Sequence, residues 1–131
     1  MDANGNKTLT ERVIGCAYTV GNALGPGFLE AVYENALCME LLGAGLKVVR
    51  QHPLEVRYKD KVVGRHIADV LVEGSLLLEL KSVSRLTNEH KAQVINYLKA
   101  TGLSVALLIN FGTPRTEVRR IVWRYDEQRP I

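Results

Sequence analysis

Apolar positions recur every three or four residues in the first third of the chain, and at alternate positions or in unbroken runs afterwards. Residues 1–7 read as a flexible tail. Thr8-Leu9-Thr10-Glu11 reads as a capping box, with Thr8 as the N-cap and Glu11 three positions on. The helix that follows runs to about Leu24, with Val13, Ala17, Val20 and Leu24 at helical spacing. Gly25-Pro26-Gly27 breaks it. A second helix is predicted from about Phe28 to Leu42, burying Leu29, Val32, Ala36 and Met39 and ended by Gly43 and Gly45.

From Leu46 the period changes. Val48 to Tyr58 and Val62 to Val72 read as strands of a hairpin joined at Lys59-Asp60-Lys61. A tight turn at Glu73-Gly74-Ser75 leads into Leu76–Leu80, an apolar strand suited to a sheet centre covered on both faces. Thr87-Asn88-Glu89-His90 opens a third helix that ends near Ala100. Ser104 to Asn110 is a second buried strand, and Val118 to Arg124 a last one. The order α-α-β-β-β-α-β-β implies an α/β fold: a mixed central sheet with a helical crossover and helices on both faces. The length, 131 residues, suits one domain, placed at residues 8–131.

Composition narrows the class. Hydrophobic residues make up 47% and charged residues 24%, as in soluble globular proteins. No apolar run approaches the roughly 20 residues that span a bilayer, and Met1–Lys7 is too polar for a secretory signal. Cys16 and Cys38 both fall in helical patterns and read as reduced thiols. These features point to a cytoplasmic protein without a membrane partner. Seventeen Lys and Arg against fourteen Asp and Glu give +3, which permits a nucleic-acid partner without requiring one.

The candidate chemistry lies where charge interrupts apolar strands. Side chains alternate along a strand, so Leu77, Glu79 and Lys81 share one face of the third sheet element. Asp69 sits in Ile67-Ala68-Asp69-Val70-Leu71, four residues before the Glu73–Ser75 turn, and Glu79 lies four residues after it. An antiparallel pairing therefore sets Asp69 opposite Glu79. Paired carboxylates repel, and a divalent cation relieves the repulsion; a buried ion pair with Lys81 is the alternative. On the third helix Gln93 and Tyr97 share a face. The spacing of Glu30 fits a first-turn glutamate favoured by the helix dipole. His66, three residues before Asp69, is expected on the opposite side of its strand and reads as structural; His90 lies one turn before Gln93.

Gly27-Phe28-Leu29-Glu30-Ala31-Val32-Tyr33 reproduces a G-x-x-E-x-x-Y signature, and the likeness continues through Val62–Lys81 and Ala92–Gly102. On these residues the chain resembles the GxxExxY family of bacteria and archaea, itself similar to the PD-(D/E)XK nuclease superfamily and its branch containing the RecB nuclease domain and lambda exonuclease. The resemblance implies a restriction-endonuclease-like domain and metal-assisted hydrolysis of phosphodiester bonds. DNA is the expected substrate, with RNA the alternative. Asp69, Glu79 and the Leu80 carbonyl would hold Mg²⁺ or Mn²⁺ through hard oxygen ligands, with Glu30 at a second ion or a metal water. Lys81 would orient the attacking water or stabilise developing charge. Gln93 and Tyr97 match the branch's Q-x-x-x-Y and would position water or strand. Ala68 stands where the motif name has proline. Arg85, His90 and Lys91 are candidate phosphate contacts. A non-catalytic nucleic-acid-binding module, or a defence or toxin–antitoxin accessory subunit, is the competing reading, and so small a domain invites a homodimer or a protein partner.

Overall fold

The computed structural model describes residues 5–124 and 131; the part of the expected tail at residues 1–4 lies outside them. The Thr8 hydroxyl accepts from the Glu11 N–H and the Glu11 carboxylate from the Thr8 N–H, both at 3.2 Å. This reciprocal cap opens α1, Leu9–Leu24, which buries Val13, Ala17 and Val20. Gly27 then adopts φ +115°, a conformation that side chains resist, and the chain enters α2, Glu30–Gly43.

The buried face of α2 differs from the expected one. Leu29 and Met39 are 81% and 74% exposed and Val32 also faces outward, whereas Tyr33, Leu37, Cys38 and Leu41 enter the core. This helix is apolar on two sides, so spacing alone offers two stripes. Specific partners decide between them. The Tyr33 ring stacks on Phe111 with centroids 4.7 Å apart, and its hydroxyl donates to the Gly25 carbonyl (2.6 Å) and accepts from the Phe28 N–H (3.2 Å). Glu34 accepts from Arg50 and Gln51, both at 2.7 Å.

Strand β1, Val48–Tyr58, and β2, Lys61–Val72, form the hairpin. Lys59 and Asp60 both have positive φ, as a two-residue turn matched to strand twist requires. Strand β3, Leu76–Lys81, helix α3, Asn88–Thr101, strand β4, Val105–Asn110, and strand β5, Glu117–Val122, complete the order; β5 lies slightly N-terminal of its predicted span. The strands lie side by side in sequence order, with β3 and β4 parallel and the other pairs antiparallel. Helices α1 and α2 cover one sheet face, where Val70, Val72, Leu76, Leu78, Val105, Leu107 and Ile109 pack. Helix α3 covers the other, over Ala68, Leu77, Ala106 and Leu108. The strand faces buried on both sides explain the unbroken apolar runs. Cys16 and Cys38 are free thiols. Among the described residues, no helix is long and apolar enough to cross a membrane.

One irregularity positions the site. Ala68 packs with α3, yet Val70 packs with α1 and α2. In a regular strand these two would share a face. The alternation therefore slips at Asp69, opposite Gln51, whose φ is +53°.

Candidate active site

The β2–β3 ladder runs from Val72↔Leu76 to Val70↔Leu78 and stops. At the next position the side chains take over from the backbone. The Leu80 N–H donates to Asp69 Oδ2 at 2.7 Å, and the Asp69 N–H lies 3.4 Å from Glu79 Oε1. Asp69 and Glu79 are thus wedged where the two strands separate. Glu79 is 4% exposed. Lys81, two residues on, lies at the strand end, opposite Asn110 of β4.

Burial dominates the electrostatics. Desolvation, then the neighbouring Asp69 charge, pushes the Glu79 carboxyl up to about 8. Burial also raises Asp69, against the pull of its hydrogen bond from the Leu80 N–H. Lys81 favours the ionised forms of Asp69, Glu79 and Glu30, so one ammonium serves three carboxylates.

His66 belongs to this group, contrary to the expectation from strand alternation. The slip at Asp69 turns it to the α3 side, where its Nε2 is 3.5 Å from Glu79 Oε1. Its ring stacks on Tyr97 at 3.8 Å between centroids and 13° between planes. Burial lowers the His66 pKa and raises that of Glu79, so both shifts favour the neutral forms of the two side chains. Tyr97 is pushed up to about 12 by burial and by the charges of Glu79 and Asp69. Gln93 is exposed one turn before Tyr97, and with Tyr97 and Asn96 it lines a cavity beside the carboxylates rather than contacting them.

Glu30 opens α2, consistent with its first-turn spacing, and is in electrostatic reach of the group: burial, then Asp69 and Glu34, raise its pKa, while Lys81 lowers it. Glu34 also acts on Asp69 but is held by Arg50 and Gln51. Among the described residues, no three His, Cys, Asp or Glu side chains converge as a metal cage. Asp69 and Glu79 are a two-carboxylate set, with Glu30 standing nearby. Hard oxygen donors that crowd a proton onto Glu79 fit Mg²⁺ or Mn²⁺, which commonly take one or two carboxylates and complete their shell with water and phosphate.

Sequence reasoning missed the frame behind Lys81. The Phe111 N–H donates to the Lys81 carbonyl at 2.9 Å. Buried Asn110 accepts from the Val83 and Gly112 N–H groups and donates to the Val83 carbonyl, each at 3.0 Å. A Cβ on Gly112 would lie 2.3 Å from both N and O of Val83. An asparagine ending an apolar strand, two residues before a glycine, is the signal that carried this. Gly112→Ala should therefore lower the unfolding free energy by about 1–3 kcal/mol through overpacking, read from the urea midpoint at unchanged m-value. Arg85 is exposed in the loop after Lys81 and Lys91 lies in the first turn of α3. His90 caps that helix, its Nδ1 accepting from the Thr87 N–H at 3.0 Å.

Carboxylates at a strand separation, a lysine two residues on, and helices on both faces of a mixed sheet are consistent with a PD-(D/E)XK fold. A model of the PD-(D/E)XK nuclease superfamily matches residues 7–121, and the chain belongs to that superfamily. The crystal structure of a protein designated SSO0001 is similar in fold, with a TM-score of 0.56 and 21% identity over 74% of this chain. The match covers 51% of that protein, so the present chain spans about half its length. No curated protein sequence matches the chain.

Proposed function

We propose that this chain is a divalent-metal-dependent nuclease that hydrolyses phosphodiester bonds, with DNA as substrate and RNA as the alternative, and that it belongs to the GxxExxY group near the RecB-like branch. The observation that carries the reading is the wedge of Asp69 and Glu79 at the β2–β3 separation with Lys81 beside it. Superfamily members typically use divalent metals in nucleic-acid cleavage, and the acidic pair supplies the oxygen donors for one.

Asp69, Glu79 and the Leu80 carbonyl would hold Mg²⁺ or Mn²⁺, and Glu30 would hold a second ion or a metal water. The bound ion supplies Lewis-acid polarisation of the phosphate and an acidified water. Lys81 directs its ammonium at the attacking water or at charge developing on the phosphate. Tyr97, stacked on His66, fixes the wall beside Glu79, and Gln93 orients the strand. Arg85 and Lys91 neutralise neighbouring phosphates. The His90 ring is committed at Nδ1 to its cap, which leaves Nε2 for a phosphate.

The test is digestion of single- and double-stranded DNA and RNA with Mn²⁺. The wild type should cleave, Asp69→Ala should be inactive, and Glu30→Gln should retain about a tenth of the rate at an unchanged melting temperature, a loss of about 1.4 kcal/mol in transition-state stabilisation. Wild-type protein that binds these nucleic acids but leaves all four intact favours the accessory-module reading instead.

A further inference from the structure

The β1–β2 hairpin is longer than the rest of the sheet: β1 and β2 have eleven and twelve residues, and β3, β4 and β5 have six each. Because β3 pairs with β2 only as far as Val70, the outer hairpin extends past the carboxylates as an arm. Leu54 pairs with His66 and Val56 with Gly64 along it. Leu54 packs beneath α3 and His66 stacks on Tyr97. Gly64 adds no side chain, so Val56 borders the space between arm and helix.

That space is a groove. A cavity of about 510 Å³ is lined by Val56, Arg57, Gln93, Asn96, Tyr97 and Lys99. Through Arg57 and Lys99 it adjoins another of about 480 Å³ that reaches His52. Its inner end is Tyr97, whose stacking partner His66 touches Glu79. The groove therefore begins at the wall of the acidic site and leads away from it along α3.

We infer that this groove holds an unpaired nucleic-acid strand leading from the scissile phosphate, an inference that rests on the nuclease reading. Its size is that of a small-molecule pocket, enough for a nucleotide or two of one strand and far too small for a duplex. Val56 and Tyr97 offer apolar surface to a base. Gln93 and Asn96 offer both donors and acceptors. Lys99 and Arg57 bring positive charge to phosphates. Arg57 bonds Glu55 at 2.9 Å, but Glu55 also pairs with Arg65 at 3.6 Å, so the trio keeps a net positive charge and Arg57 can turn to a phosphate while Glu55 retains a partner.

The experiment compares wild type with the Arg57→Ala/Lys99→Ala double variant, in Ca²⁺, by anisotropy of a labelled 12-nucleotide single strand and of the same sequence as a duplex. Both substituted side chains are exposed, so equal melting temperatures are expected and serve as the folding control. Wild type should bind the single strand at least tenfold more tightly than the duplex. The double variant should lose about tenfold at 0.1 M salt, and its slope of log K against log salt should shrink by about 1.4, two phosphates at about 0.7 each for a single strand. Equal binding and equal slopes in the two proteins, or wild-type preference for the duplex, overturn the groove. Tight, variant-sensitive binding without Mn²⁺-dependent cleavage overturns the nuclease reading and leaves the groove standing; cleavage of single strands untouched by the double substitution does the reverse.

Discussion

Lys81→Ala should lose about 10²-fold or more in the cleavage rate while binding Mn²⁺ no more weakly than the wild type. The two halves of this expectation come from one fact: the ammonium is a cation that acts on Asp69, Glu79 and Glu30 together. A cation cannot be a metal ligand and repels a bound metal, so removing it cannot weaken metal affinity through lost coordination. It does remove a positive charge from the place where negative charge develops on a phosphate, and the loss of one such stabiliser costs about 2.7–4 kcal/mol. Lys81 is half-buried at a strand end, and the acidic pair is held by the Leu80 and Asp69 backbone N–H groups, which the substitution leaves in place. Single-turnover cleavage, Mn²⁺ titration by electron paramagnetic resonance and a thermal melt separate the three quantities. A variant that cleaves at the wild-type rate removes Lys81 from the chemistry; one that loses Mn²⁺ affinity in proportion to rate reassigns it to holding the acidic pair in place.

Most of the architecture was legible because local signals were redundant. The Thr8–Glu11 box, the turn at Lys59-Asp60 and the leucine run of β3 each specify one element through a different piece of physics. Counting outward from Glu73-Gly74-Ser75 sets Asp69 opposite Glu79, and the Leu80 N–H on Asp69 reflects that register. Two features were not legible. Helix α2 is apolar on both sides, and the stripe that packs is chosen by partners distant in sequence, Phe111 for Tyr33 and Arg50 for Glu34. The position of His66 depends on the slip at Asp69, and counting by twos along β2 assigns it to the wrong face. Both misreadings arise where the chain sets charge into its core, which is where a sequence departs from the regular pattern in favour of a site.

The metal-free protein should become less stable as pH rises from about 5 to 8.5, and Mn²⁺ should reverse that trend. Glu79 holds its proton up to about 8 in the folded protein, against an ordinary value of 4.5. Between these values the folded state binds more protons than the unfolded state, so unfolding releases up to one proton from this group and folding takes it up. The contribution of Glu79 is therefore complete below pH 4.5 and is lost as pH climbs toward 8, with a slope of at most about 1.4 kcal/mol per pH unit for one proton. A divalent ion competes with that proton for the same oxygens, so Mn²⁺ should bind more tightly as pH rises and level off above about 8. The gain in melting temperature from saturating Mn²⁺ should grow over the same interval, since a ligand specific to the folded state stabilises it by mass action. Glu79→Gln keeps the shape and removes the titration: its metal-free stability should be flatter with pH over this range, and Mn²⁺ should shift it little. Melting curves at half-unit pH steps, with and without Mn²⁺, give all four profiles. Parallel pH profiles for wild type and Glu79→Gln would show that the burial of Glu79 is not what couples this fold to protons, and an equal Mn²⁺ shift in both would move the metal away from the β2–β3 separation.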